Sequence, residues 1–262
     1  MTKPINFDPE FDPDNFDEPI TNDFLPLVVG NTWVYAHDDG GSNTVTVTGD
    51  TINILGVECF VVTDNEVDAD GNPTEQTRDY FAPDNDGRVW YFGEDTLELP
   101  SGDTAGTWRA GTMPEGGDEV AQPGVIMLAP GELEVGRTYL EEKADPAALD
   151  RASVKSLSAN VDLESFGSFD DALKTKNDTA LSPGNVEEKY YVAGLGPVLI
   201  TAGNTREELV SFNGVQNLVQ AMASFTSPQS GSAANFATNG RDDHSSSQQM
   251  LAPSGHDGGQ HG

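Results

Sequence analysis

The chain has 262 residues, of which 44 are acidic and 13 basic, giving a formal net charge of −31 at pH 7. Such a surface repels nucleic acid and anionic membranes, so we expect no DNA or RNA partner. No segment reaches the roughly 18 apolar residues of a membrane-spanning helix. The single cysteine, Cys59, excludes an internal disulfide and argues against a thiolate metal cluster.

The first predicted element is an extended acidic arm, residues 1–22. Its stretch INFDPEFDPDNFDEPITN places Phe7, Phe11 and Phe16 too irregularly for one face of a helix, and its prolines favour extended backbone. Acids alone would suffice for solubility, so we expect these phenylalanines to pack in apolar slots on the rest of the protein. Disorder and a chain of cation-binding carboxylates are the two alternatives.

Residues 23–225 are predicted to form a single β domain. Short runs rich in Val, Thr, Tyr and Trp recur between clusters of Asp, Asn and Gly. In NTVTVTG, Val45 and Val47 share one face, which is the period of a sheet with one wet side. The predicted fold is all-β, an antiparallel meander forming a strongly curved sheet or incomplete barrel. The predicted strands are 31–37, 43–49, 57–64, 76–82, 88–93, 136–142, 152–161, 171–176, 189–194, 197–202 and 206–212.

The turn DNDGRV, between the fourth and fifth predicted strands, is the strongest candidate for a metal site. Its Asp, Asn and Gly residues suit a hairpin turn, which is the plain interpretation. The EF-hand spacing fails because the closing acid is missing. A looser calcium site remains open, in which Asp84 and Asp86 converge with Glu94 or Asp95. Calcium is the only cofactor that the sequence suggests.

The remaining segments carry weaker signals. Residues 101–134 are rich in Gly and Pro and predict a long excursion over one end of the sheet. Two short helices are predicted, at 145–151 and 214–225. Residues 226–262 are poor in apolar residues and rich in Ser, Gly, Gln and Asn, so they predict a disordered tail.

Aromatic residues on the predicted strands suggest a binding face. Trp33, Tyr35, Trp90 and Tyr91 could line a concave surface that holds an apolar small molecule, or they could fill an ordinary core. No motif of a serine hydrolase, a zinc protease or a phosphate-binding loop occurs, so no catalytic residue is assigned. A carboxylate pair acting on a glycosidic bond is unspecific in a chain with this many acids.

The segment FLPLVVGNTWVYAHDDG resembles the opening of a broad group of bacterial exported β-meander domains of uncharacterised function. The later stretches DNDGRVWYFGED and EEKYYVAGLGPVLI fit the same pattern, and the resemblance covers about residues 20–212. It implies a fold and export, and it brings no catalytic residues with it. A looser analogy is to the half-barrel lipoprotein carriers of the Gram-negative envelope.

These observations predict a non-catalytic binding or structural module that is secreted or periplasmic. MTKPINFD has no apolar run, so we expect the signal peptide to be missing from this sequence. The expected partner is an apolar small molecule or a component of the envelope or matrix. The alternatives are a hydrolase that attacks polysaccharide through a carboxylate pair and a calcium-dependent matrix or adhesion protein. A deep polar cleft with two close carboxylates would favour the hydrolase.

Overall fold

The computed structural model describes residues 4–214, which form one antiparallel sheet of thirteen strands that is not closed. This confirms the predicted all-β fold. Within residues 4–214, no helix has the length and apolar character that crossing a membrane requires. The strands are β1 (Thr32–His37), β2 (Ser42–Ile54), β3 (Val57–Val67), β4 (Pro73–Pro83), β5 (Val89–Glu98), β6 (Trp108–Arg109), β7 (Gly124–Met127), β8 (Thr138–Leu140), β9 (Asp150–Leu163), β10 (Gly167–Thr179), β11 (Val186–Val192), β12 (Gly196–Ala202) and β13 (Thr205–Asn213).

The sheet consists of two meanders joined at their long sides. Strands β1 to β6 run outward in sequence order, strands β13 back to β8 do the same in the other direction, and β1 pairs with β13 in the middle. Strand β7 pairs with β5. The two ends of the sheet approach each other where Gln122 and Lys143 form an isolated bridge. The curvature therefore brings distant ends of the chain around a common interior.

Every one of the eleven predicted strands occurs, but two other predictions need correction. The excursion 101–134 contains β6 and β7, of two and four residues, which were not among the predicted strands. The helix predicted at 145–151 is wrong: the N–H groups of Ala147 and Ala148 donate to the carbonyl of Ala144, closing a turn, and β9 begins at Asp150. The helix predicted at 214–225 (except Gly214) and the tail at 226–262 lie outside the described residues.

The interior of the sheet has an apolar half and a polar half. Strands alternate between buried inward-facing residues and more exposed outward-facing ones, as a sheet with one covered face requires. At one end the inward side chains are large and apolar. They include Trp33, Val45, Val47, Val62, Phe81, Val154, Leu173, Val198 and Leu209. Further along the same strands the inward residues become carboxylates, amides, hydroxyls and one lysine.

The N-terminal arm spans the gap between the two ends of the sheet. On the β8 side, the N–H groups of Asn6 and Phe7 donate to the carbonyl of Thr138, at 3.0 and 3.1 Å. On the β5 side, the Phe11 and Phe16 rings lie 5.6–6.3 Å from the rings of Trp90 and Phe92. This agrees with the prediction that the phenylalanines pack in apolar slots.

Replacing Phe11 and Phe16 together by Ser should destabilise the folded protein by about 2–4 kcal/mol, because two half-buried rings lose their apolar contacts. The free energy of unfolding in urea measures this loss. Glu10→Gln is the matched control, since Glu10 is an exposed residue of the same arm. If the double variant unfolds at the wild-type urea concentration, the arm does not stabilise the sheet.

Candidate functional site

The polar half of the interior is lined by acidic side chains. Each is almost fully buried, although carboxylates are among the side chains that proteins bury least. They come from both meanders, so the curvature of the sheet brings them together in one interior. These ten residues, which we call the interior carboxylates, are Asp64, Glu66, Glu75, Asp79, Glu94, Glu141, Glu142, Asp150, Glu187 and Glu207.

Strand alternation explains most of this lining. On β4, Glu75, Thr77 and Asp79 are buried while Gln76 and Arg78 between them are exposed. The inward residues pair sideways with inward residues of β3 and β5, so that polar rows continue across the sheet. Because both faces of this segment are polar, its hydrophobic pattern could not have told the buried face from the exposed one.

A β-bulge in β5 adds Glu94 to the interior. Phe81 pairs with Tyr91, and Asp79 pairs with Glu94, so one residue of β4, Tyr80, opposes two residues of β5. The extra residue lets Tyr91 and Glu94 both face inward, although in a regular strand two residues that are three positions apart point to opposite faces. Gly93 makes the bulge possible: its φ is +132°, and a Cβ there would lie 2.3 Å from the carbonyl oxygen of Trp108.

A second irregularity, after β8, buries two adjacent acids. The N–H groups of Glu141 and Glu142 both donate to the carbonyl of Asp150, at 2.8 and 3.2 Å. Two residues of one segment thus oppose one residue of the other, which is the arrangement of a β-bulge. Both side chains are 0% exposed. The charges of Glu94, Glu141 and Asp150 all act on the Glu142 carboxylate.

Lys189 of β11 is the one lysine or arginine among the fully buried residues of the described chain. Its Nζ lies 3.3 Å from Oε2 of Glu187. Burial alone would lower the pKa of the ammonium group, but Glu187, Glu141 and Asp150 outweigh it and the pKa is raised. Lys189 is therefore charged at every physiological pH. Its single positive charge faces several carboxylates.

Several carboxylate oxygens of this interior lack a hydrogen-bond partner. Glu142 is the extreme case, because neither of its side-chain oxygens has a side-chain donor among residues 4–214, and the backbone N–H of Asp150 is the one donor that lowers its pKa. Asp79 accepts a bond from the Tyr91 hydroxyl at 2.8 Å through Oδ1, but its Oδ2 accepts none. Oε1 of Glu141 and Oδ1 of Asp150 also accept no hydrogen bond. Buried acceptors without donors are rare in folded proteins because desolvating them costs free energy.

Burial raises the pKa values of these acids. Desolvation raises the pKa of Glu141 to about 8, of Asp79 to about 7 and of Asp150 to about 6. Burial, followed by the charges of Asp150, Glu94 and Glu141, also raises the pKa of Glu142. An additional cation in the interior would reverse these shifts, since a positive charge favours the ionised carboxylate.

The polar half lies toward an end of the sheet that is itself acidic. The hairpin turns after β1 and β3 lie there, and they carry Asp38, Asp39, Asp68 and Asp70. Near this end, His37 approaches Glu207 at 3.4 Å between Nε2 and Oε1. Acidic turns at this end attract cations and repel anions.

The aromatic residues predicted to bind a ligand divide between the two faces of the sheet. Trp33, Tyr35 and Tyr91 point inward, whereas Trp90 is covered by the arm on the outer face and donates its Nε1–H to Asp84. All four are at most 2% exposed, so protein atoms cover them. Binding of an apolar molecule by these residues stays a prediction.

The acids predicted to bind calcium are also divided. Asp84 and Asp86 lie together, with Nη1 of Arg88 at 3.1 and 2.8 Å from their carboxylates. Glu94 faces the interior, whereas the next residue, Asp95, faces outward and pairs with Arg109 at 2.9 Å. Adjacent strand residues point to opposite faces, so at most one of these two alternatives could join Asp84 and Asp86, and calcium binding there stays a prediction. Among residues 4–214, no group of three or more His, Cys, Asp or Glu is arranged to hold a metal ion.

No family model matches this chain, and no curated protein matches it. Two solved structures are similar to part of this chain. One, from Bacteroides fragilis, is named as a candidate exported protein with a YmcC-like fold; it is 11% identical, with a TM-score of 0.43, and the match covers 74% of this chain and 100% of that one. The other, named as a candidate lipoprotein from Parabacteroides distasonis, is 10% identical, with a TM-score of 0.40 and the same coverage. These values are too low to support an argument about function.

The raised carboxylate pKa values make the stability of the protein depend on pH. Between the unfolded pKa of about 4 and the folded values, the native state holds protons that the unfolded chain has lost. The free energy of unfolding should therefore fall as pH rises from 6 to 8.5, through the pKa values of about 7 for Asp79 and about 8 for Glu141. Each retained proton contributes a slope of up to about 1.4 kcal/mol per pH unit.

Urea unfolding across this pH range measures the slope. Glu141→Gln should make it shallower, because one titrating carboxyl is replaced by a neutral amide of the same shape. Glu58→Gln, at an exposed position of β3, should leave it unchanged. A wild-type stability that is constant or rises from pH 6 to 8.5 would contradict the raised pKa values.

Lys189→Met should destabilise the protein by about 3–5 kcal/mol at pH 8, because it leaves buried carboxylates without their cation. At pH 5 the loss should be smaller, since protonated carboxyls need no counter-charge. The control is Lys174→Met, which removes a partly exposed ion pair with Glu188 and should cost about 1 kcal/mol or less. Equal losses for Lys189→Met at the two pH values would show that the lysine contributes only through packing.

Proposed function

We propose that this protein is a non-catalytic, extracytoplasmic binding module that takes a small cation into the polar half of its sheet interior. The observation that carries the proposal is Glu142, a fully buried carboxylate to which no side chain of residues 4–214 donates a hydrogen bond, the backbone N–H of Asp150 being the one donor that lowers its pKa. A buried carboxylate of this kind is stable only if it is protonated or if a cation neutralises it.

The charge balance supports the same function. Ten interior carboxylates face Lys189 and the partly buried His37. Protonation can neutralise part of this excess of negative charge, and a bound cation can neutralise the remainder. The acidic turns at this end of the sheet would raise the local concentration of cations next to the polar half. The location outside the cytoplasm is inferred from the sequence resemblance to exported bacterial domains.

The hydrolase alternative has less support from the geometry. A polysaccharide chain needs an exposed cleft that places its glycosidic bond between two carboxylates. The interior carboxylates are each at most 9% exposed, which leaves no such surface along them. A small cation needs far less room than a sugar chain, and it also supplies the charge that the interior lacks.

Addition of a small cation at constant ionic strength tests this function. Calcium chloride and 1-aminobutane hydrochloride are each compared with sodium chloride. At least one of the two cations should raise the melting temperature of the wild type above its value in sodium chloride. At a hundred times its dissociation constant, a ligand of the folded state adds about 2.7 kcal/mol, or about 5–10 °C for a domain of this size.

The matched variants are Glu142→Gln and Glu58→Gln, which each remove one negative charge, inside and outside the sheet. The increase should survive in Glu58→Gln and should largely disappear in Glu142→Gln. Equal increases in all three proteins would assign the effect to screening of the surface charge and would overturn the proposed function.

A further inference from the structure

Two separate carboxylates of the interior, Glu142 and Asp79, offer oxygens without a partner. Resting on the proposed function, we propose that the ligand is a linear aliphatic diamine or polyamine, with one ammonium group bound at Glu142 and a second at Asp79. The two carboxylates belong to different walls, since Glu142 follows β8 and Asp79 lies in β4.

Tyr91 lies near both carboxylates. Its hydroxyl donates to Asp79 at 2.8 Å. Its backbone pairs with Gly124 of β7, and a Cβ on Gly124 would lie 2.8 Å from the backbone nitrogen of Glu142, so the segment that carries Glu142 adjoins Tyr91. A ligand that reaches both Glu142 and Asp79 would lie close to Tyr91, which suits a short chain of methylene groups. Its ammonium ends would each meet a carboxylate, and its stem would pack on an aromatic surface.

Lys189 shows that this interior accepts an alkylammonium group. Its Nζ is paired with Glu187 at 3.3 Å, and its side chain is 1% exposed. Asp150 and Glu141 raise the pKa of Lys189 from the β8 and β9 side, and Lys189 in turn lowers the pKa of Asp79 on β4. The charge of the lysine thus acts on carboxylates of both walls, and a diamine would add two more groups of the same chemistry.

The arrangement suits ammonium groups better than metal ions. Calcium requires six to eight oxygen ligands that converge within about 2.6 Å of one point. Among residues 4–214, no group of acids has the convergence that a metal ion needs. An ammonium group forms three hydrogen bonds to oxygens and tolerates carboxylates that are spread over several strands.

Calorimetric titration of the wild-type protein with 1,4-diaminobutane and with 1-aminobutane, at constant ionic strength, tests this inference. The diamine should bind at least about tenfold more tightly than the monoamine of equal length, because its second ammonium group binds within the same molecule. In Glu142→Gln and in Asp79→Asn the diamine affinity should fall to about that of the monoamine. Glu58→Gln should keep the wild-type ratio.

The possible results separate this inference from the proposed function. Equal affinities for the two amines, or a response to calcium alone that Glu142→Gln abolishes, would overturn the diamine while leaving an interior cation site. No binding of any of these cations beyond that of sodium chloride would overturn both. The comparison of the two amines uses only the wild-type protein, so it remains decisive if either interior variant fails to fold.

Discussion

The interior of this sheet depends on how buried negative charge is neutralised. Lys189 supplies one permanent positive charge among ten interior carboxylates. An isolated ion in a medium of low polarity is unfavourable by many kcal/mol, so the remaining acids must share protons, accept hydrogen bonds or hold a cation. The raised pKa values of Asp79, Glu141 and Asp150 are the direct consequence. The proposed ligand is a further way to meet the same requirement.

The architecture explains how so many acids can be buried together. The apolar half of the interior supplies the hydrophobic stabilisation of the fold, through residues such as Trp33 and Phe81, while the polar half lies further along the same strands. The two β-bulges, at Gly93 and at Glu141–Glu142, turn additional carboxylates inward where regular alternation would have turned them out. Bulges are frequent next to functional sites, because they re-aim side chains.

The N-terminal arm connects the two ends of the open sheet. It bonds to Thr138 near one end and covers Trp90 and Phe92 near the other. The sequence predicted that Phe11 and Phe16 pack on another part of the protein, because a proline-rich acidic segment does not require phenylalanine for solubility. The position of that surface could not be read from the sequence, since Trp90 and Phe92 were assigned to strands whose outer face was unknown.

The sequence by itself determined the fold class and eleven of the thirteen strands, because alternating apolar residues and Asp-Gly turns report local backbone geometry. It also predicted the docked phenylalanines. It could not determine the candidate site. In Glu75-Gln76-Thr77-Arg78-Asp79 both faces are polar, so only the tertiary structure decides which face is buried. Glu94 and Asp95 were equally acceptable as a further calcium ligand in the sequence, and only strand geometry places one inside the sheet and the other outside. Burial of charge depends on the curvature that brings β4, β8 and β11 around one interior, and this is a property of the whole sheet.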